Sequence, residues 1–151
     1  INMVVAPLMG RLVGLRGERF VLLLEYAGLI LVFLAYGGLY WLGWGVVVAS
    51  VLYVVDHMLF GLAFALKTYF QKIADPQDIA PTAAVAFTIN HIAAVFLPAA
   101  LGYLWIVSPS AVFILAACMA AVSFGLGLLI PRHPDKGNET VLSARFKPAQ
   151  S

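Results

Sequence analysis

Charge is scarce in this chain: of 151 residues only 11% are Asp, Glu, Lys or Arg, while 63% are hydrophobic and the mean hydropathy is +0.98. A water-soluble domain of this composition would have almost no charged surface and would aggregate, which excludes a soluble fold. Cysteine is nearly absent as well. The single Cys118 lies in an apolar stretch, so no disulfide framework exists and a small, buried apolar role is expected for it. No basic stripe with interleaved aromatics occurs, and nucleic acid is not an expected partner. H-E-x-x-H is missing, no two His stand four apart, and no nucleotide-binding glycine loop is present. Neither a cofactor nor a metal is expected.

The charge that is present is placed in order. All nine Lys and Arg residues fall into three short segments: Arg11, Arg16 and Arg19; Lys67 and Lys72; Arg132, Lys136, Arg145 and Lys147. Consecutive segments are separated by two apolar spans and an uncharged turn, near Trp41 to Gly45 and near Trp105 to Ser110. Basic residues beside spans are retained in the cytoplasm, so the three segments read as cytoplasmic and the two turns as external. Trp41, Trp44, Trp105, Tyr36, Tyr40 and Tyr103 gather at the ends assigned to the outside, where amphipathic rings prefer the headgroup level. The expected fold is an all-α, polytopic transmembrane helix bundle in a cell (inner) membrane. It has four full crossings and a cytoplasmic C-terminus.

The first span is expected from Phe20 to Tyr40, about 31 Å as a helix and a match for the ~30 Å hydrocarbon core. The second runs from Gly45 to Leu66 with a polar extension to Lys72. Asp75 before Pro76 has the pattern of a helix cap, and the third span covers Ala80 to Trp105 with Pro98 placed to kink it. Ser108 followed by Pro109 opens the fourth, which Pro131 ends. Residues 1–134 thus form the membrane part and 135–151 a polar cytoplasmic tail. The stretch from Arg132 to Ser151 reads as solvated and mobile. Ile1 to Met9 is apolar, too short to cross, and lacks the pattern of a signal peptide. Alternation of sides makes it the end of a truncated span, and the chain is expected to be the C-terminal fragment of a longer protein.

The first basic segment reads Gly10-Arg11-Leu12-Val13-Gly14-Leu15-Arg16-Gly17-Glu18-Arg19-Phe20-Val21-Leu22. Its glycines permit close backbone approach and unusual dihedrals, and its arginines hold it at the headgroups. Here the sequence resembles the major facilitator superfamily, whose members carry G-x-L-x-D-R-x-G-R-K-x-x-L in the cytoplasmic loop after the second helix of each half. Gly10, Leu12, Gly17, Arg19 and Leu22 match. Gly14 stands where the family has its acidic residue, Leu15 where it has an Arg, and Glu18 where it has a basic residue. A motif followed by four spans is what remains after the eighth helix of a twelve-helix transporter. Asp75-Pro76, Leu97-Pro98 and Gly102 are similar to the connection into the family's eleventh helix and to that helix. The resemblance covers essentially residues 1–134. It implies that Gly10, Arg11, Arg16, Gly17 and Arg19 guide the rocking of two halves, the N-terminal one being absent from this chain.

Asp56 and His57 lie near the middle of the second span. A carboxylate there costs about 2.5–3.5 kcal/mol on insertion scales, so it faces protein or water. At about 100° per residue, Ser50, Tyr53, Asp56, His57, Gly61, Lys67, Thr68 and Gln71 share an arc of about 140°. This polar stripe faces either a cavity or another helix, where it would form a structural hydrogen-bonded pair. The resemblance makes the span the tenth helix, which lines the substrate cavity. It makes Asp56 the candidate for proton coupling or for pairing with a cation, and His57 a proton relay. Thr88 and His91, three apart on one face of the third span with Ala94, Pro98 and Gly102, fit cavity lining or close packing equally. Asn90 points away and reads as structural, and Glu25 is expected to reach the interface or pair with a loop cation. The fourth span has only Ala116, Ala120, Ser123 and Gly127 at small-residue spacings and is expected to be peripheral.

The function expected from this reading is secondary, proton-coupled transport of a small solute by alternating access, with solute, protons and lipid as partners. Alternatives are a non-catalytic membrane subunit or channel component, or a membrane-embedded enzyme using Asp56, His57 and His91. An enzymatic activity is not expected.

Overall fold

The computed structural model describes residues 2–143; Ile1, the tail beyond Ser143 with Arg145 and Lys147, and the side chains of residues 2–6, 8, 9 and 40 lie outside the described residues. The elements in order are α1 (Asn2–Leu42), α2 (Val46–Phe60), a 3-10 turn (Gly61–Ala63), α3 (Phe64–Ile73), α4 (Pro76–Val107) and α5 (Pro109–Gly127). Among the described residues no strand forms, only a single bridge between Asp135 and Asn138. Four stretches are long and apolar enough to cross a membrane: Gly10–Leu39, Val46–Ile73, Pro76–Val107 and Pro109–Gly127. Even the shortest, with 19 residues, is about 28 Å long as a helix. The chain is an all-helical bundle of the kind membranes accept, with backbone groups satisfied within each helix.

The segment expected as a loop over residues 10–19 is helical on both sides of one residue. Gly17 alone departs, with φ 79° and ψ 161°, so that α1 consists of two helical pieces, residues 2–16 and 18–42. Leu12 and Val13 explain the difference: both pack into the core, while Arg11 before them and Arg16 after them are exposed and leave the helix undisturbed. The extended turn needs a residue without Cβ, since this backbone region is almost closed to other residues.

The piece of α1 after Gly17 is the centre of the bundle. Val21 and Leu22 are fully buried and pack with Val13, Leu62, Ala65 and Ile130, flanked by Tyr26, Leu59 and Tyr69. At Gly28 the approach of α2 is so close that an added Cβ would lie 2.7 Å from Leu59 Cδ1. The most extensive partner of α1 is α5, which turns Ala117, Ala120 and Gly127 inward. Close approach through small residues is what helix association in lipid relies on. The fourth span is therefore an integral part of the packing and not peripheral. Cys118, expected to be buried, is exposed on α5, because one residue beyond Ala117 is about 100° around the helix.

Ser108 opens α5 as expected, its Oγ accepting from the N–H of Ala111 at 3.3 Å. Asp75 takes the cap position of α4 without a side-chain cap bond; its carboxylate accepts from Lys136 Nζ instead. α4 runs through Pro81 and Pro98 as one helix, packs against α5, and buries none of its residues. Residues 131–143 are not a solvated strand of tail. They fold back on the helix ends: Pro131 and Pro134 are buried, Val141 N–H donates to Leu129 O at 2.8 Å, and Tyr69 OH donates to Glu139 O.

Gly17→Ala should destabilise the bundle by about 1–3 kcal/mol, the range for a residue forced into a disfavoured dihedral region. Space is not the obstacle, since the nearest atom to an added Cβ is Arg132 O at 3.6 Å. Gly14→Ala, at a helical site with nothing within 4 Å, should be neutral or slightly stabilising. Denaturant titrations of both variants in mixed micelles would measure the difference, and equal midpoints would contradict the backbone argument.

Candidate functional site

Arg16, Lys72 and Arg132, one from each basic segment, meet at one end of the bundle. A cavity of about 740 Å³ there is lined by Gly10, Arg16, Gly17, Glu18, Thr68, Lys72, Arg132, His133 and Asp135, among others. At its base Glu18 is buried, its side chain 2% exposed, and its Oε1 lies 2.6 Å from Lys72 Nζ, which is half-exposed. The contact lacks the direction of a hydrogen bond, so the attraction is that of an ion pair. It ties the start of the helical piece 18–42 to the end of α3. A second ion pair, Lys136 to Asp75, holds the folded-back segment against the start of α4. Of the loop residues expected to guide rocking, Gly10, Arg11 and Arg16 are exposed and Gly17 and Arg19 half-buried.

The other end is uncharged and aromatic. Tyr36 stacks on Phe113 with centroids 5.1 Å apart, Trp105 meets Phe113 edge-on at 5.7 Å, and Ser110 Oγ donates to Gly37 O at 3.2 Å. Tyr36 OH also donates to Ala49 O at 3.3 Å, which closes the turn between α1 and α2.

Between these ends lies the polar stripe of α2. Tyr53 and His57, one turn apart, hold their rings 5.1 Å from each other, and both are exposed. Asp56 is half-buried, lies within electrostatic range of Tyr36, and has no hydrogen bond or ion pair among the described residues. Ser50 and Thr68 donate back to the carbonyls of Val46 and Phe64 in their own helices. Tyr53 and His57 thus stand exposed, while Asp56 is half-buried beside α1 without a partner of its own among the described residues. The continuity of the stripe ends at the 3-10 turn Gly61–Ala63, four residues after His57, a kind of interruption that often marks a functional hinge.

Thr88 and His91 are exposed on α4. Thr88 Oγ1 donates to Ala84 O at 3.0 Å, while His91 Nδ1 lies 3.0 Å from Phe87 O with its ring 3.9 Å from the Phe87 ring. Asn90 is exposed as well. α2 and α4 share no packing interface, so Asp56 and His57 are not brought into contact with Thr88 and His91. Neither the 740 Å³ cavity nor the two smaller ones described is lined by any of these residues.

Three participants escape a reading of the sequence alone. Glu18 looks like a departure from a motif, Lys72 like one more cytoplasmic cation, and Arg132 like the start of a free tail. The available signal was an acidic residue set among arginines. Glu25, expected to reach the interface or pair with a loop cation, is buried with no hydrogen-bond partner on its Oε2. It lies nearly two turns after Glu18 on the same buried face, whereas Arg16 and Arg19 project at the cavity rim. Comparison with family models, curated proteins and solved structures returned no match.

Lys72→Gln should cost about 2 kcal/mol of stability, because the carboxylate of Glu18 would stay buried without a cation; half-exposure of Lys72 keeps this below the full cost of a broken buried pair. The double change Glu18→Gln with Lys72→Gln should recover most of the loss. A double-mutant cycle followed by denaturant unfolding measures both, and additive losses would remove the pair from its structural role.

Proposed function

We propose that this chain is part of a secondary transporter of the major facilitator type, which moves a small solute by alternating access with coupling to protons. In this reading the chain supplies the end of the eighth helix through the twelfth. The other half lies in sequence beyond it, and the protein is a multi-pass component of a cell (inner) membrane. The basic end, with Arg16, Lys72 and Arg132, faces the cytoplasm, as does the C-terminus.

The observation that carries the proposal is the stripe of Tyr53, Asp56 and His57 on an otherwise apolar span, with Tyr53 and His57 exposed and Asp56 left without a hydrogen bond or ion pair among the described residues. An ionisable group at that depth is expensive against lipid and is kept where it meets protein or water. A transport cavity completed by further helices supplies such a setting. Asp56 is the proton or cation site, His57 the relay, and Thr88 and His91 contribute from α4. The Gly17 break between the two helical pieces of α1 forms the mobile joint at the cytoplasmic end.

In the full-length protein, Asp56→Asn should leave folding and solute exchange intact while accumulation driven by an imposed pH difference falls to the level without a gradient. Asn keeps the shape of Asp and one acceptor oxygen, with an NH2 donor in place of the other, but cannot carry the charge or exchange a proton. Wild-type accumulation in vesicles at matched expression would end the assignment of Asp56. Orientation is tested separately. A Cys at Gln77 should resist an impermeant maleimide in intact cells, and one at Gly43 should react; the reverse pattern would invert the topology.

A further inference from the structure

Beside the large cavity lies a smaller one of about 420 Å³, lined by Arg16, Arg19, Phe20, Leu23, Arg132 and His133. Its composition differs in kind from that of its neighbour. The large cavity contains the carboxylates of Glu18 and Asp135, whereas every polar side chain around the small one is basic. None of Arg16, Arg19 and Arg132 has a carboxylate partner among the described residues; the two ion pairs present use Lys72 and Lys136. The Arg16 guanidinium carbon lies 4.9 Å from the centroid of the Phe20 ring, a cation–π contact that holds this long side chain in one place. Phe20 and Leu23 carry the lining from the arginines onto the apolar side of α1. The cavity is thus basic at the end of a membrane span and apolar toward its middle.

We infer that this cavity binds the headgroup phosphate of an anionic phospholipid, with Arg16, Arg19, Arg132 and His133 around the phosphate and the first part of the lipid chains along Phe20 and Leu23. Three forked guanidinium groups present more donors than one carboxylate could satisfy, and they match the tetrahedral oxygens of a phosphate. The size is that of a small-molecule site. The apolar lining is what favours lipid over a free phosphate ion, because a soluble anion gains nothing from Phe20 and Leu23. Arg16 and Arg19 flank the Gly17 break, and Arg132 follows α5, so one bound lipid would clamp two parts of the chain. The inference is independent of transport and requires only that the basic end meet a bilayer surface.

The test uses the full chain in nanodiscs of phosphatidylcholine containing phosphatidylglycerol, released into mild detergent and examined by native mass spectrometry. Wild type should retain one phosphatidylglycerol in preference to phosphatidylcholine. Each arginine lost should weaken that retention about fivefold, so Arg19→Gln with Arg132→Gln should abolish the preference. Lys67→Gln, an equal change of charge on an exposed residue outside the cavity, should leave it unchanged. If the double variant does not fold, Arg132→Gln alone, in the turn after α5, carries the comparison. A second arm adds inorganic phosphate to phosphatidylcholine nanodiscs at constant ionic strength and reads thermal stability. Stabilisation by phosphate without any preference for phosphatidylglycerol would replace the lipid with a soluble anion and overturn the inference. Equal retention of both lipids by wild type, or equal losses with Lys67→Gln, would overturn it as well.

Discussion

Glu18 begins the helical piece that runs to Leu42, and its buried carboxylate meets the ammonium of Lys72 at 2.6 Å. Much of the charged end is arranged around that contact. A carboxylate at the start of a helix is favoured by the helix dipole, but burying it requires a cation from elsewhere in the chain, and α3 supplies one. Once Lys72 is in place, Leu62 and Ala65 lie against Val21 and Leu22, and Tyr69 is left facing the segment after α5. Tyr69 then holds Glu139 by its carbonyl, and Lys136 reaches Asp75 at the start of α4. Each of the later segments is fixed to the one before it, and the sequence of attachments begins at Glu18. The extended dihedrals of Gly17 are the other half of the arrangement. They turn the chain immediately before Glu18 and bring the backbone close to Arg132 O.

The parts of this fold that were legible in the sequence have local causes. Four apolar stretches gave four helices long and apolar enough to cross a membrane, Ser108-Pro109 opened a helix, and Arg16, Lys72 and Arg132, one from each basic segment, meet at one end of the bundle. The parts that were not legible depend on residues distant in sequence. Nothing near Glu18 announces Lys72. Residues 131–143 have the composition of a tail, and their order comes from bonds to Tyr69, Asp75 and Leu129 that no local pattern encodes. Hydropathy likewise states that α5 is apolar without stating which face meets α1. This is why Ala117 and Ala120 turn inward while Cys118 does not. For the candidate site, the stripe on α2 was visible from helical spacing, whereas the separation of α2 from α4 required coordinates.

The exposed polar groups of α2 and α4 make different demands on whatever surrounds them. α4 buries nothing within the chain, yet lipid tails are as apolar as leucine, so an unpacked apolar helix pays little in a bilayer. Thr88 and His91 reduce their own cost further by bonding to the carbonyls of Ala84 and Phe87. Such side chains stand against hydrocarbon or protein with a modest difference between the two. Asp56 has no comparable recourse. A carboxylate is acceptor-only when ionised, and the helix turn before it offers carbonyls, which are acceptors too. Its two nearest polar neighbours along the helix, Tyr53 and His57, face each other. The contact that would stabilise Asp56 must therefore come from a donor, a cation or water outside the described residues. That requirement is what ranks Asp56 above His91 as the centre of a site.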